Sequence, residues 1–419
     1  MAGFLNNVLK IQPGEERKVL LFAVLGAMLH GGLAIGMSAV DAIFLSKAGA
    51  TMLPLIYLLT PVVMLIYIPV FSYLLSRFGV DRVFDLTLGI LVTGGCFLFY
   101  LFSGYTAGTT TSLVVLCGVK LYANMWLFAL YTLYWNFTDC YFDIQDAKRL
   151  FAMFSGGAAF GAMICGGLVT LLIEYIPVQN LFLVWSATAL LTAPLLISLR
   201  KSCSKIEEDF SLDETPVSFL TEIRQIPTTL RQSRFVRTLA FVMFITLSIT
   251  LICEYQYMNV FSDTTKAKIT AQLDSQKSDT TATLSEQDRT SAIEAASAQK
   301  LASLFGKLGA LANAFILVVN LFLFNRLIAW LGVRNMALIQ PLMYIGVFSF
   351  FLLNYGFGSA LAGFFAYQGM MIAIEQNNQN FLFNAMPAAI KKQMRTFIEG
   401  IAEPLAVAIA GMFLLIYGR

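Results

Sequence analysis

The chain has 419 residues, 58% hydrophobic and only 13% charged, with a net charge of +3 and a single histidine. That composition excludes a soluble globular protein, because so much apolar surface could not be kept from water. One histidine also excludes most His-based catalytic arrays. With no nucleotide-binding glycine loop, zinc spacing or nucleophile elbow present, no enzyme activity, cofactor, metal or nucleic-acid partner is expected.

In chain order, Phe4, Leu5, Val8, Leu9 and Ile11 mark one face of a short helix ahead of Pro13. This suits either an interfacial helix lying on the membrane or a frayed start. Eleven apolar stretches follow, at about 18–46, 52–76, 84–103, 111–138, 148–175, 178–199, 235–261, 300–325, 332–353, 358–385 and 394–417. Each has roughly the 20 residues a helix needs to cross ~30 Å of hydrocarbon. They are too long and too closely spaced for barrel strands, so helices satisfy the backbone in lipid. The first stretch is no cleavable signal, since it is long and lacks a small-residue cleavage site after a short apolar core. The expected fold class is an all-α polytopic membrane protein.

Placing the N-terminus in the cytoplasm puts 19 of the 28 lysines and arginines on the cytoplasmic side, among them Lys10, Arg82, Lys148, Arg200, Arg326 and Lys391. Short loops on the other side hold little beyond Lys47, so the positive-inside rule gives N-terminus in. The six cysteines fall in or beside spans apart from Cys203, and imply no disulfide framework.

The halves echo each other. Phe78-Gly79-Val80-Asp81-Arg82 closes the turn after the second span, and Leu331-Gly332-Val333-Arg334-Asn335 closes the one after the eighth. Arg149-x-Phe151 opens the fifth span and Arg395-x-Phe397 the eleventh. The two offsets, 253 and 246 residues, are nearly constant, which argues for a duplicated unit. The expected organisation is a six-helix half at 1–199, a cytoplasmic linker at 200–234, and a second half at 235–419 with a long external loop at 262–299. Two halves repeated in parallel resemble the major facilitator architecture. A twelfth span would follow 394–417 there and none precedes Arg419, which leaves a native end and a truncation both open. The loop 262–299 is too polar for a core of its own. Ser285 stands three before Asp288 in capping-box spacing, so a helix is expected from there into the eighth span.

Ionisable and amide groups inside spans are the informative residues, because each costs several kcal/mol unless a partner or water meets it. His30 and Asp41 lie about three turns apart on the first span, and both can point inward. His30, beside Gly31-Gly32, is either a proton-coupling site or a hydrogen bond across a tight helix contact. Lys120, Asn124 and Asn136 lie on the fourth span. Lys120 either faces a cavity, attracting anions, or snorkels to the interface. Glu254 ends the seventh span, and Lys307 and Asn313 lie on the eighth. Glu375 precedes Gln376-Asn377-Asn378-Gln379-Asn380 on the tenth, a run that cannot face lipid. Glu399 and Glu403 share a face of the eleventh, with an Arg395–Glu399 pair as the bland alternative to gating. Gly156-Gly157, Gly161 and Gly166-Gly167 give the fifth span small-residue spacing for close helix approach.

Trp135-Asn136-Phe137, followed by Gln145-Asp146-Ala147-Lys148-Arg149-Leu150-Phe151 and a Gly-rich span, resembles the ATP/ADP translocases of plastids and obligate intracellular bacteria. That family has an FW…AN segment followed by EAKRFY there. Leu382-Phe383-Asn384-Ala385-Met386-Pro387 and the stretch Lys391 to Glu399 are similar to its LFDPxKE…KGKAAID. On this resemblance Arg395 stands where the family has a functional lysine and Glu399 where it has an aspartate. The chain also departs from the pattern. An RDTKD-like run becomes Met37-Ser38-Ala39-Val40-Asp41, and ELW becomes Asn124-Met125-Trp126, so a lysine and a carboxylate linked to nucleotide exchange are absent. The resemblance implies a divergent carrier working by alternating access in a bacterial inner membrane. Its solute would be a nucleotide or another small anion. His30, Asp41, Lys120, Asn124, Asn136, Glu254, Lys307, Asn313 and Glu375 would line the cavity, and Arg149, Arg395 and Glu399 would serve the cytoplasmic gate. The rival reading is a carrier fold that has lost transport and serves as a membrane scaffold for a partner protein.

Overall fold

A computed structural model describes residues 12, 14–104, 112–142, 144–205, 234–277, 285–384, 397–398 and 402–418. All regular structure among them is helical. Nine helical stretches there are long and apolar enough to cross a membrane, and Glu403–Tyr417 is a shorter apolar helix. One of the nine, Ala50–Ser103, holds two of the expected spans.

The chain groups into two compact units. The first is Met1–Ala50, Ser72–Ile206 and Met258–Asn325; the second is Thr51–Phe71, Glu207–Tyr257 and Arg326–Arg419. The grouping is one of packing and cuts across the sequence halves, since 258–325 packs with N-terminal residues.

In the first unit lie α1 (Glu16–Lys47), the later part of α2 (Leu53–Gly104), α3 (Leu113–Asp139), α4 (Ile144–Leu172) and α5 (Leu181–Ser202). The end of α6 (Arg234–Lys277) and all of α7 (Glu286–Val318) complete it. From Leu25 to Ser46 no residue of helix α1 is exposed, and the helix packs most extensively on α4, then on α5 and α7. The α4 glycines explain that closeness: a Cβ on Gly161 would lie 2.0 Å from the Ala27 carbonyl oxygen. The small-residue spacing of the fifth span is therefore packing.

Ser285 caps α7 as its spacing predicts, its hydroxyl accepting from the Asp288 amide at 3.1 Å. Helix α6 runs on to Lys277, beyond the span expected to end near 261. Its extension holds Lys266, Lys268, Gln272 and Gln276, good helix formers that need no core, among Ser, Thr and Asp residues. An Asp274–Arg289 ion pair ties the extensions of α6 and α7.

The second unit holds the start of α2, most of α6, most of α8 (Phe324–Leu353), α9 (Phe357–Phe364), α10 (Gln376–Asn384) and α11 (Glu403–Tyr417). Between α9 and α10 runs an eleven-residue π-helical segment, Phe365–Glu375. The Thr250 and Tyr344 hydroxyls bond at 2.7 Å, and the Tyr255 hydroxyl donates to the Gly418 carbonyl at 2.5 Å.

Two glycines break long helices in the same way. Gly79 in α2 has φ 74° and ψ 163°, and Gly332 in α8 has φ 74° and ψ 157°. A side chain is essentially excluded from that conformation. The turn that recurs 253 positions apart in sequence thus recurs in backbone geometry.

Candidate functional site

Along α1, His30, Ala34, Met37 and Asp41 are half-buried, and every residue between them is buried. Spacings of four, three and four place the quartet on one face. Helix α3 offers a matching stripe of Lys120, Asn124, Tyr131 and Trp135, with Tyr131 50% exposed. The stripes meet at two points. The His30 ring sits edge-on to Tyr131 at 6.3 Å between centroids, and to Tyr134 at 5.6 Å. Eleven residues further along α1, Lys120 donates a hydrogen bond to an Asp41 carboxylate oxygen, with the two side chains 5% and 14% exposed.

At 5% exposure the Lys120 side chain is buried against its partner. A buried ammonium without a counter-charge is costly, and Asp41 supplies that charge. His30 bonds through Nδ1 to the Gly26 carbonyl at 3.0 Å. A carbonyl only accepts, so Nδ1 carries the hydrogen and Nε2 is the nitrogen left to other partners. Tyr131, Trp135 and Met37 are not among the expected site residues, although their spacing from Lys120 and Asp41 signals the shared face.

The remaining expected residues divide. Asn136 donates to the Thr132 carbonyl of its own helix at 2.9 Å, and Asn313 to Gly309 in the same way. Sixteen positions from Lys120, Asn136 lies roughly 160° round α3 and does not join the stripe. Lys307 is exposed on α7, where water or headgroups rather than hydrocarbon must meet it. Glu254 is half-buried on α6 in the second unit. Glu375, also in the second unit, is 4% exposed and accepts from Gln379 Nε2 at 3.2 Å. Arg395, Glu399 and the side chain of Arg149 lie outside the described residues.

A charge cluster that the sequence does not single out follows the Gly79 turn. Arg200, near the end of α5, grips Asp85 with two nitrogens at 2.7 and 3.0 Å and donates to the Asp81 carbonyl at 2.9 Å. Lys205 holds the Asp81 carboxylate at 2.5 Å. Beside it, burial first and the Asp81 charge second push the Tyr141 phenol up to about 12, Arg200 opposing, so it remains protonated. The available signal is the Asp81–Asp85 spacing of one helical turn, opposite a basic helix end.

The chain matches no family model, and no curated protein matches it either. Solved structures do. The nucleoside transporter NupG is similar over 96% of this chain and 92% of its own, with a TM-score of 0.59 at 12% identity. A D-xylose–proton symporter is similar over 95% and 89%, with a TM-score of 0.57 at 14% identity. The POT family transporter PepTSo is similar over 96% and 89%, with a TM-score of 0.54 at 14% identity. At such identities the likeness shows the fold alone: the chain has the all-α, multi-span fold of these transporters.

Proposed function

We propose that the chain is a secondary transporter working by alternating access, and that its solute is a nucleotide or another small anionic metabolite. The duplicated halves 1–199 and 235–419 would rock about the site, with the N-terminus cytoplasmic in a bacterial inner membrane. The observation that carries this reading is the buried Asp41–Lys120 pair where the α1 and α3 stripes meet. A buried pair contributes little to stability relative to an apolar replacement, so its presence inside a span calls for a function. An entering phosphate or carboxylate would take over the Lys120 ammonium from Asp41. Exchanging one anion for another around the same cation changes the energy little, which keeps binding reversible. The nucleotide preference rests on the resemblance to the ATP/ADP translocases, and the anionic preference also on Lys307.

The test is uptake into proteoliposomes of labelled nucleotides, other phosphorylated metabolites, amino acids and sugars. Accumulation of one anionic class, abolished in Lys120→Met, is expected. Equal uptake by Lys120→Met and wild type would contradict the assignment of that lysine. A second reading, a carrier fold serving as a membrane scaffold, is favoured by the charged helical extensions at 262–277 and 286–299. It expects no uptake of any class.

A further inference from the structure

We propose that Glu375 is a proton-binding site carried by the second unit, and that it takes up and releases the coupling proton of the transport cycle. The coupling role rests on the carrier reading above; the proton site stands on geometry. Glu375 closes the π-helical segment Phe365–Glu375 and is 4% exposed. One carboxyl oxygen accepts from Gln379, and the other is buried with no hydrogen-bond partner among the described residues. One turn on, Asn378 is fully buried, and among the described residues neither its amide nitrogen nor its oxygen has a partner. An ionised carboxylate held this way within a span costs several kcal/mol, and a bound proton removes the charge.

The surroundings suit a proton better than a metal ion. Among the described residues no group of three or more His, Cys, Asp or Glu side chains could hold a metal. None of the described lysines or arginines bonds Glu375. The titratable groups that the contacts place beside the π segment are Tyr257 on α6, whose ring meets Tyr367 of the segment, Cys253 on α6, which bonds the Gly363 carbonyl just before it, and Glu403 on α11, which shares a cavity with Met371 and Gln379. A cavity of about 40 Å³, lined in part by Thr246, Met371, Gln379 and Glu403, reaches the glutamine that holds Glu375. It has room for at least one water, the carrier a proton needs.

The π segment supplies a means of exposure. A π turn holds one more residue than an α turn, and such segments concentrate at functional sites. Converting one of its turns to α-helix would rotate Glu375 by about one residue, roughly 100°. The proton would be held in the conformation described here and lost once the rotated carboxyl meets water.

The experiment is infrared difference spectroscopy of the full chain in lipid across a pH step, with wild type, Glu375→Gln and Glu375→Asp. Wild type should show the carbonyl stretch of a protonated carboxyl that disappears as pH rises. Glu375→Gln should lack it, and Glu375→Asp should shift it, which decides the matter if the glutamine variant fails to fold. No such band in wild type at any pH, or an unchanged band in both variants, would overturn the proposal. A band assigned to Glu375 in a chain that moves no solute would leave the proton site standing and overturn the carrier reading instead.

Discussion

Lys120 and Asp41, 79 positions apart in the chain, are hydrogen-bonded partners on facing helices and are almost wholly removed from solvent. Breaking a buried pair from one side strands a charge and costs about 3–5 kcal/mol. Lys120→Met and Asp41→Leu should each lower the melting temperature of the purified protein sharply. The double variant Asp41→Leu/Lys120→Met should recover most of that loss, because it buries apolar groups instead of a charge. Thermal unfolding in detergent checks this; a double variant as unstable as the sum of the singles would show that the two side chains act independently.

Gly79 and Gly332 share a backbone conformation that a Cβ resists. Gly79→Ala and Gly332→Ala should each cost about 1–3 kcal/mol, the strain of a sparsely populated backbone region. Gly89, at ordinary φ with open space around it, should accept alanine without loss. Melting temperatures of the three variants test the contrast, and equal tolerance at all three positions would remove the duplicated turn as a structural device.

Helix α4 meets α1 with no room for a side chain at Gly161. Gly161→Leu should cost more than the roughly 1–3 kcal/mol typical of an overfilled core, because the obstruction is backbone rather than a side chain that can turn away. Gly167, with open space where a Cβ would stand, should accept leucine. Yield of folded protein after membrane extraction separates these outcomes.

Arg200 is 21% exposed and Asp85 54% exposed, so water screens their pair and its contribution is small. Arg200→Lys keeps the charge but not the two-pronged grip on Asp85, and should cost about 1 kcal/mol or less. If this cluster steadies the turn at Gly79, the loss should instead appear as a changed transport rate. Initial rates in proteoliposomes, compared with thermal stability, distinguish the two.

Much of the fold is legible in the sequence because a membrane leaves few ways to satisfy the backbone. Hydropathy alone locates spans such as 18–46, and the cap at Ser285 follows from the three-residue spacing to Asp288. The Gly79 and Gly332 turns are legible as a repeat because only glycine serves that geometry. The site is legible in part. Asp41 and Lys120 stand out as charges in apolar surroundings, but their pairing depends on how α1 faces α3, which no local spacing encodes. Tyr131 escapes notice because an aromatic residue in a span looks like ordinary lipid-facing mass, and Trp135 is legible only through the Trp135-Asn136-Phe137 motif. Glu375 stands out in the sequence as a charge in a span, but the π geometry of the segment it ends leaves no local signal.

The most direct test is thermal stability of the wild type and of the Asp41→Leu/Lys120→Met variant against a panel of nucleotides, other phosphorylated metabolites, amino acids and sugars. A ligand at 100 times its dissociation constant adds about 2.7 kcal/mol. An anionic class that stabilises the wild type and not the variant is the predicted result. Silence of the wild type across the panel at acidic and neutral pH, or equal stabilisation of both proteins, would contradict a solute site built on Lys120 and Asp41.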